Sequence, residues 1–316
     1  MNAKPLLSVH ILTYNCEHYI EATLESVLKQ KTDFKYEIVI GDDNSTDNTN
    51  TILAHYAKRY PDLINYKRNE KQLGILKNFK TTLDRCKGAY VFDLAGDDFL
   101  NQNHALQKMV GAFKNDDSLG FIDSGYNHYY EKTKKTDYFI NKKFIACSKN
   151  EYKNALLLGK IIPAGVCYKR EALYKHIDFD FYLKKGLTIE DYPMLVDMVM
   201  NTNFYRINEV LVTYRVHNKS HSHMIDFEKQ LFLKKQMLDL VAFFSKKYNL
   251  SPDVINEYKT EYYKSCLYLA GYFEKKEMGK DMFFKLNKPV NFKLAAYYLC
   301  SQNSLFRRFY FNFGKL

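Results

Sequence analysis

The sequence predicts an α/β fold, a mixed and mainly parallel Rossmann-like sheet with flanking helices, followed by a mostly helical C-terminal region. Three observations carry that expectation. Short β-branched or aromatic runs alternate with apolar residues at helical spacing in the first 118 residues, which is the signature of βαβ units. Polar clusters rich in Asp, Asn, Ser and Thr follow these runs, at the edge where an open α/β sheet binds its ligand. After Met224 the chain turns basic, with sixteen Lys and Arg against nine acids, and its apolar residues fall at helical spacing.

Taken in order, Leu7 to Leu12 reads as the first strand, and Ile20, Leu24, Val27 and Leu28 form one apolar helix face. Tyr36 to Ile40 is the second strand. Its helix carries Ile52, Leu53, Tyr56 and Ala57, and Pro61 prevents it from continuing. A strand near Ile64 to Tyr66 precedes a helix with Leu76, Phe79 and Leu83, expected to stop at Gly88. Ala89 to Phe92 then leads to a helix with Leu106, Met109, Val110 and Phe113. Beyond Leu119 the order loosens into a mixed segment, with a strand at Phe121-Ile122, a Lys-rich polar stretch over 131–143 and a helix near Tyr152 to Leu158. The expected boundaries are an α/β domain over 1–225 and a helical, basic and aromatic region over 226–316.

A chain of 316 residues, 46% hydrophobic with a net charge of +11, buries a sizeable core without disulfides or a structural metal. Its six cysteines lie far apart with no C-x-x-C pair, which argues against a zinc ribbon and for reduced thiols. No apolar run approaches the roughly 18 residues needed to span a bilayer, and the start leads into a strand rather than a signal peptide. A cytoplasmic protein is therefore expected.

Thr13-Tyr14-Asn15, the run Asp42 to Asp47 and Asp97-Asp98 follow the first, second and fourth strands. No G-x-G-x-x-G follows the first strand and no P-loop motif occurs, so dinucleotide and NTPase readings lose their support. Carboxylates repel phosphate, so acids at the mouth of a nucleotide site imply a divalent cation between them and a diphosphate. Asp97-Asp98 suits that role. The competing reading is that both acidic clusters cap the helices that follow them.

Combined with Gly74 to Asn78, with Glu190-Asp191-Tyr192-Pro193 and with Tyr214-Arg215-Val216-His217, these motifs resemble the inverting family 2 glycosyltransferases of the GT-A fold, over about residues 6 to 223. The resemblance implies a nucleotide-sugar-binding half over 1–118 and an acceptor and catalytic half over 119–225. It implies that Thr13 and Tyr14 line the nucleotide pocket, that Asp43 accepts a hydrogen bond from the base, and that Lys77 stands where the family often has an Arg near the nucleotide. Asp97 would face the ribose. Asp98 would bind Mn²⁺ or Mg²⁺, with His217 as a further metal or diphosphate contact. Asp191 would be the catalytic base, with Glu190 its rival within the motif. The chain departs from the commoner pattern at Gly96, where many members carry a further acid, and at His221, which interrupts a Ser-rich stretch.

Inverting transfer is a direct displacement at the anomeric carbon, so a base must take the proton of the attacking hydroxyl. The expected donor is a nucleoside diphosphate sugar, with UDP as the carrier, and the acceptor a saccharide or lipid-linked saccharide in surface polysaccharide or glycolipid assembly. Two other readings compete. A haloacid-dehalogenase-like phosphatase is partly imitated by Asp42 to Thr46 and Gly96 to Asp98, but Asn44 stands where its second Asp should be. A nucleic-acid or anionic-lipid binding protein is suggested only by charge; no nucleic-acid partner is expected. The stretch from Met282 to Leu316 holds six bases and no acid, interleaved with aromatics, which suits a membrane surface or a core-packed terminal helix.

Overall fold

The computed structural model describes residues 4–138, 148–217, 226–286 and 291–313. Two compact units meet in the chain between His217 and Asn218. The first contains β1 (Leu7–Thr13), α1 (Ile20–Leu28), β2 (Tyr36–Asp42), α2 (Thr49–Arg59), β3 (Ile64–Arg68), α3 (Ile75–Leu83), β4 (Tyr90–Ala95), β5 (Phe99–Leu100) and α4 (Ala105–Lys114). It continues with β6 (Leu119–Tyr130), β7 (Lys135–Asp137), α5 (Lys149–Leu157), β8 (Val166–Lys169), α6 (Arg170–His176), α7 (Phe179–Lys184), α8 (Asp191–Asn201) and β9 (Asn203–Val216).

The sheet runs β3-β2-β1-β4-β8-β6-β9-β5, with β7 attached to β6. β1 pairs in parallel with β2 and β4, and β2 with β3. The antiparallel β8 then joins this wing to β6, which runs parallel to β9. Helices cover the parallel wing, and its strands are largely apolar, with the polar Ser8, His10 and Glu37 buried among them. Leu7, Val9, Ile11, Ile38, Val39, Ile40, Val91 and Phe92 are fully buried, and Leu24, Val27, Leu53, Leu106 and Met109 close over them. The four β–α steps of the first half lie where the apolar periodicity puts them.

Two expectations need correction. The third helix ends at Leu83 with Asp84 as its cap, not at Gly88. Gly88 instead lies against the first strand, where a Cβ would stand 2.5 Å from the Ser8 nitrogen and 2.7 Å from the Leu7 carbonyl carbon. Its small size serves strand approach rather than helix termination. The strand expected at Phe121-Ile122 is twelve residues long and pairs along its length with β9, through register shifts at Gly120 and Gly125. Its last third, Asn127 to Tyr130, lacks apolar alternation, so periodicity could not reveal it.

The second unit holds α9 (Phe227–Lys247), α10 (Pro252–Tyr272), α11 (Lys276–Lys285), α12 (Phe292–Gln302) and α13 (Ser304–Phe313). Asp226, Ser251 and Asn291 cap three of these helices by accepting backbone N–H bonds. Cys266, Leu267, Met282 and Leu286 form a small core with Tyr262, Tyr263 and Tyr298 packed on it. Among the described residues no helix is long and apolar enough to cross a membrane.

Gly88→Ala should cost about 3 kcal/mol of stability, because the methyl meets backbone that cannot rotate away. Gly111→Ala, whose Cβ would project from α4 into open space, should instead stabilise by up to about 1 kcal/mol. Urea unfolding of the two variants checks the contrast, and equal effects would contradict it.

Candidate active site

The site forms where β1, β2 and β4 end. Thr13 closes β1, and its carbonyl accepts from the Asp43 amide at 2.9 Å, tying the first two strand ends together. Tyr14 projects beyond them with 41% of its surface exposed. Asn15, in a left-handed conformation at φ 54°, donates its amide to Ser45 Oγ and accepts from the Thr46 amide at 2.8 Å through Oδ1. Asp42 is fully buried and accepts from the amide and hydroxyl of Ser45, so it shapes the loop rather than capping a helix. Asp47 does act as a helix-start acceptor, taking the Thr49 amide at 3.0 Å.

Asp43 turns the other way. One carboxylate oxygen accepts from the Leu73 amide at 2.7 Å and from Asn69 at 3.1 Å, and the other from the Gly74 amide at 2.9 Å. It fixes the loop that starts α3, on whose first turn Lys77 is exposed. Gly74 has φ 83°, a conformation L side chains rarely adopt.

The acidic pair after β4 does not cap α4: β5 intervenes and His104 occupies the helix cap. Asp97 and His217 meet instead, with Nε2 2.9 Å from the carboxylate. His217 stacks on Tyr19 at 4.3 Å between ring centroids. Asp98 is 3% exposed and accepts the Arg215 amide at 2.8 Å. Burial and the neighbouring Asp97 charge push its carboxyl well above the usual range.

Arg215 fastens this corner. Its guanidinium donates to the Asp97 carbonyl at 2.8 Å and to Glu131 at 2.7 Å, and lies over the rings of Tyr19, Phe99 and Tyr129 at 5.1 to 5.4 Å. The end of β9, and with it His217, is thereby pinned to the turn after β4. His221 and His223 lie outside the described residues.

Glu190 and Asp191 start α8, with Pro193 in its first turn, and Asp191 accepts the Tyr192 amide at 2.6 Å. Both carboxyls are pushed up. Burial is the larger cause for each; for Glu190 the Asp191 charge comes next, and the charge of Asp93 adds to both. Asp191 rises to about 6. Asp93 also bears on Asp98, so the acids after β4 and those of α8 lie within electrostatic reach of one residue. Asp93 itself is paired with the buried His10 at 2.7 Å. The motif reading passed over both; a histidine in the middle of the first strand was the available signal. Cys16, also near the loop, is no nucleophile, since burial pushes its thiol up to about 11.

The donor set of Asp97 and His217, one carboxylate oxygen and one imidazole nitrogen with Asp98 behind them, suits a Mn²⁺ or Mg²⁺ ion that takes its remaining ligands from a diphosphate and water. Among the described residues no three His, Cys, Asp or Glu side chains form a ready-made metal cage.

Residues 8–176, more than half of the chain, match the profile of Glycosyl transferase family 2. The putative teichuronic acid biosynthesis glycosyltransferase TuaG of Bacillus subtilis is 33% identical over 230 residues, covering 69% of this chain and 82% of that protein. The chondroitin synthase of Escherichia coli is 28% identical over 264 residues, which are 78% of this chain and 34% of the synthase. Mycobacterium tuberculosis relatives, 36% identical over 104 residues, are covered over only 30% of their length. Among solved structures, Staphylococcus aureus TarS 1–349 in complex with UDP-GlcNAc aligns over 93% of this chain and 79% of its own at TM-score 0.57 and 18% identity. The mannosyltransferase PcManGT of Pyrobaculum calidifontis, in complex with GDP-Man and Mn²⁺, aligns over 100% and 89% at TM-score 0.56 and 14% identity. Both likenesses show the GT-A type of fold.

Arg215→Met, which keeps an apolar stem between the three rings but removes the fork, should cost about 3 kcal/mol. A thermal unfolding midpoint within a degree of wild type would remove Arg215 from the role of fastener.

Proposed function

The chain belongs to glycosyl transferase family 2, and from that premise we propose that it is an inverting enzyme that moves a sugar from a UDP-sugar to a saccharide or lipid-linked saccharide in surface polysaccharide assembly. A glycosyltransferase it is by family; the phosphatase and binding-protein readings fall with that assignment. The single observation that carries the finer reading is the meeting of Asp97, after β4, with His217, after β9, at 2.9 Å, with Asp98 and the Glu190-Asp191 pair both within electrostatic reach of Asp93. On this reading one group of acids would face the departing diphosphate and the other the hydroxyl that is deprotonated.

Thr13 and Tyr14 would border the base, and Asp43 would take the imide N–H of uracil. A carboxylate has about four acceptor sites, and three of those on Asp43 are engaged, which leaves one on the oxygen bonded to Gly74. Lys77, on the same loop, would approach the nucleotide. Asp97 and His217, braced by Asp98 and Arg215, would hold Mn²⁺ or Mg²⁺. Such an ion, when bound, offsets the charge that grows on the departing diphosphate. We assign the cation to Asp97 and His217, with Asp98, the ligand the motif suggested, bracing the turn from its buried position.

Asp191 would accept the proton of the acceptor hydroxyl as oxygen attacks the anomeric carbon from the side opposite the diphosphate. Such assistance contributes about 10²- to 10⁴-fold. A base held at about 6 is mostly ionised at neutral pH yet basic enough to share a proton in the transition state. The sign is definite: a raised carboxyl regains its proton as pH falls, so turnover is lost below about 6. Asp191→Asn should lower transfer at least about 10²-fold while a UDP-sugar with Mn²⁺ still raises the melting temperature. Near-normal turnover in that variant would sink the assignment.

A peripheral position at the inner face of a membrane is the second part of the proposal. Phe284, Phe292, Leu305 and Phe309 are each more than 60% exposed, on a stretch without acids that carries Lys293 and Arg308. Anionic lipid adds roughly 1 kcal/mol per base near the surface, and the aromatics enter the headgroup layer. Leu305→Ser combined with Phe309→Ser should weaken sedimentation with phosphatidylserine vesicles severalfold. Unchanged sedimentation, or equal binding to neutral vesicles, would count against it.

A further inference from the structure

The start of α1 touches both of the segments that carry Asp97 and His217. Tyr19, the residue before the helix, stacks on His217 with ring centroids 4.3 Å apart and planes 29° from parallel. Thr23, four residues on and so on the same side of the helix start, is fully buried. Its hydroxyl reaches the Gly96 carbonyl at 3.0 Å, the nearer of two carbonyls in its range. Gly96 immediately precedes Asp97 and has no room for a side chain. Its amide donates to the Leu12 carbonyl at 2.9 Å, and a Cβ would stand 2.8 Å from that oxygen and 2.8 Å from the Thr13 Cβ. The turn therefore has no space for a further acid at this place and presents a carbonyl to α1 instead.

A histidine turns broadly about its last side-chain torsion, so a bond from Nε2 to Asp97 does not by itself set the plane of the ring. The flat face of Tyr19 does. Tyr19 is in turn held from behind: its amide donates to the Cys16 carbonyl at 2.8 Å. The Cys16 amide donates to Thr49 Oγ1 at 2.8 Å and the Glu17 amide to Asp47 at 3.2 Å, which ties the start of α1 to the start of α2. Arg215 also lies over the Tyr19 ring, at 5.2 Å. The bond from Thr23 reaches the acidic turn without passing through that arginine.

We propose that Tyr19 and Thr23 are positioning residues of the cation site: together they set the separation and the ring plane at which Asp97 and His217 face one another, so that the pair is in place before Mn²⁺ or Mg²⁺ arrives. The proposal rests on Asp97 and His217 being the residues that hold the ion. Groups that orient a metal ligand change affinity about 10- to 100-fold when they are removed. A ligand that must first be ordered gives back part of the free energy of binding. Tyr19 and Thr23 supply no atom to the ion and act only through its ligands.

The test is the affinity of the whole chain for Mn²⁺ in the presence of UDP, read from the EPR signal of the free ion. Wild type should bind the ion and Asp97→Asn should lose it. Tyr19→Leu keeps bulk but no flat face, and Thr23→Val keeps shape but no hydroxyl; each should weaken Mn²⁺ binding about tenfold. The conservative variants Tyr19→Phe and Thr23→Ser should stay within about twofold of wild type. A role in stability alone would lower the melting temperature and leave the affinity of the folded protein where it was. With Asp97→Asn deficient, wild-type affinity in Tyr19→Leu or in Thr23→Val overturns the role of that residue and leaves the cation assignment standing. Tyr19→Phe as weak as Tyr19→Leu would also overturn the stacking role. If either apolar variant does not fold, the comparison at the other position decides. Failure of wild type to bind Mn²⁺, or Asp97→Asn binding as well as wild type, defeats the proposed cation site and this inference with it.

Discussion

Carboxylates that lose water near one another resist ionisation, and this enzyme places Asp98 on one side and Glu190 and Asp191 on the other within electrostatic reach of Asp93. Everything around the cleft responds to that constraint. Arg215 is held by three aromatic rings and the Asp97 carbonyl, so its charge stays beside Asp98 without a flexible side chain having to be ordered for each turnover. Within β1, the buried His10 is paired with Asp93 at 2.7 Å. In the reaction we propose, negative charge on one side of the cleft serves a cation and on the other a base. Fixed positive groups let both exist in one small volume.

The fold supplies the geometry. Three parallel strands end together, and their following loops are cross-linked by side-chain to backbone bonds, Asn15 to Thr46 and Asp43 to Leu73 and Gly74 among them. The antiparallel β8 lies between β4 and β6, which therefore run the same way, and β9, parallel to β6, brings Arg215 and the following His217 to the same edge. Each loop holds its neighbour, and the backbone groups that no helix satisfies are paired within the loops.

The first half was legible because each strand and helix carries its own apolar period, and the order of polar clusters along the chain pointed to the family. What local pattern could not show was partnership. Asp98 read as a metal ligand from its motif, yet only the fold reveals that its carboxylate accepts the Arg215 amide. β9 escaped notice because its register shifts against β6 break the alternation that marks a strand. His10 and Asp93 look like separate irregularities in two apolar strands until the sheet sets them side by side. The Tyr-Arg-x-His segment marked the right residues, but nothing nearby in sequence told that the Arg would be enclosed by Tyr19, Phe99 and Tyr129.

Asp97 and His217 are 120 residues apart, as Asp98 and Arg215 are 117. During synthesis the parallel wing has all of its strands long before β9 leaves the ribosome, so the acids after β4 must wait, unscreened, for their counterparts. Closing so long a loop is slow to be rewarded but adds little to the entropic cost, which grows only with the logarithm of its length. On the proposed reading, competence to bind a charged donor therefore arrives as the last act in the making of this unit. A nascent chain halted before residue 215 would own a nearly finished scaffold and no working cleft.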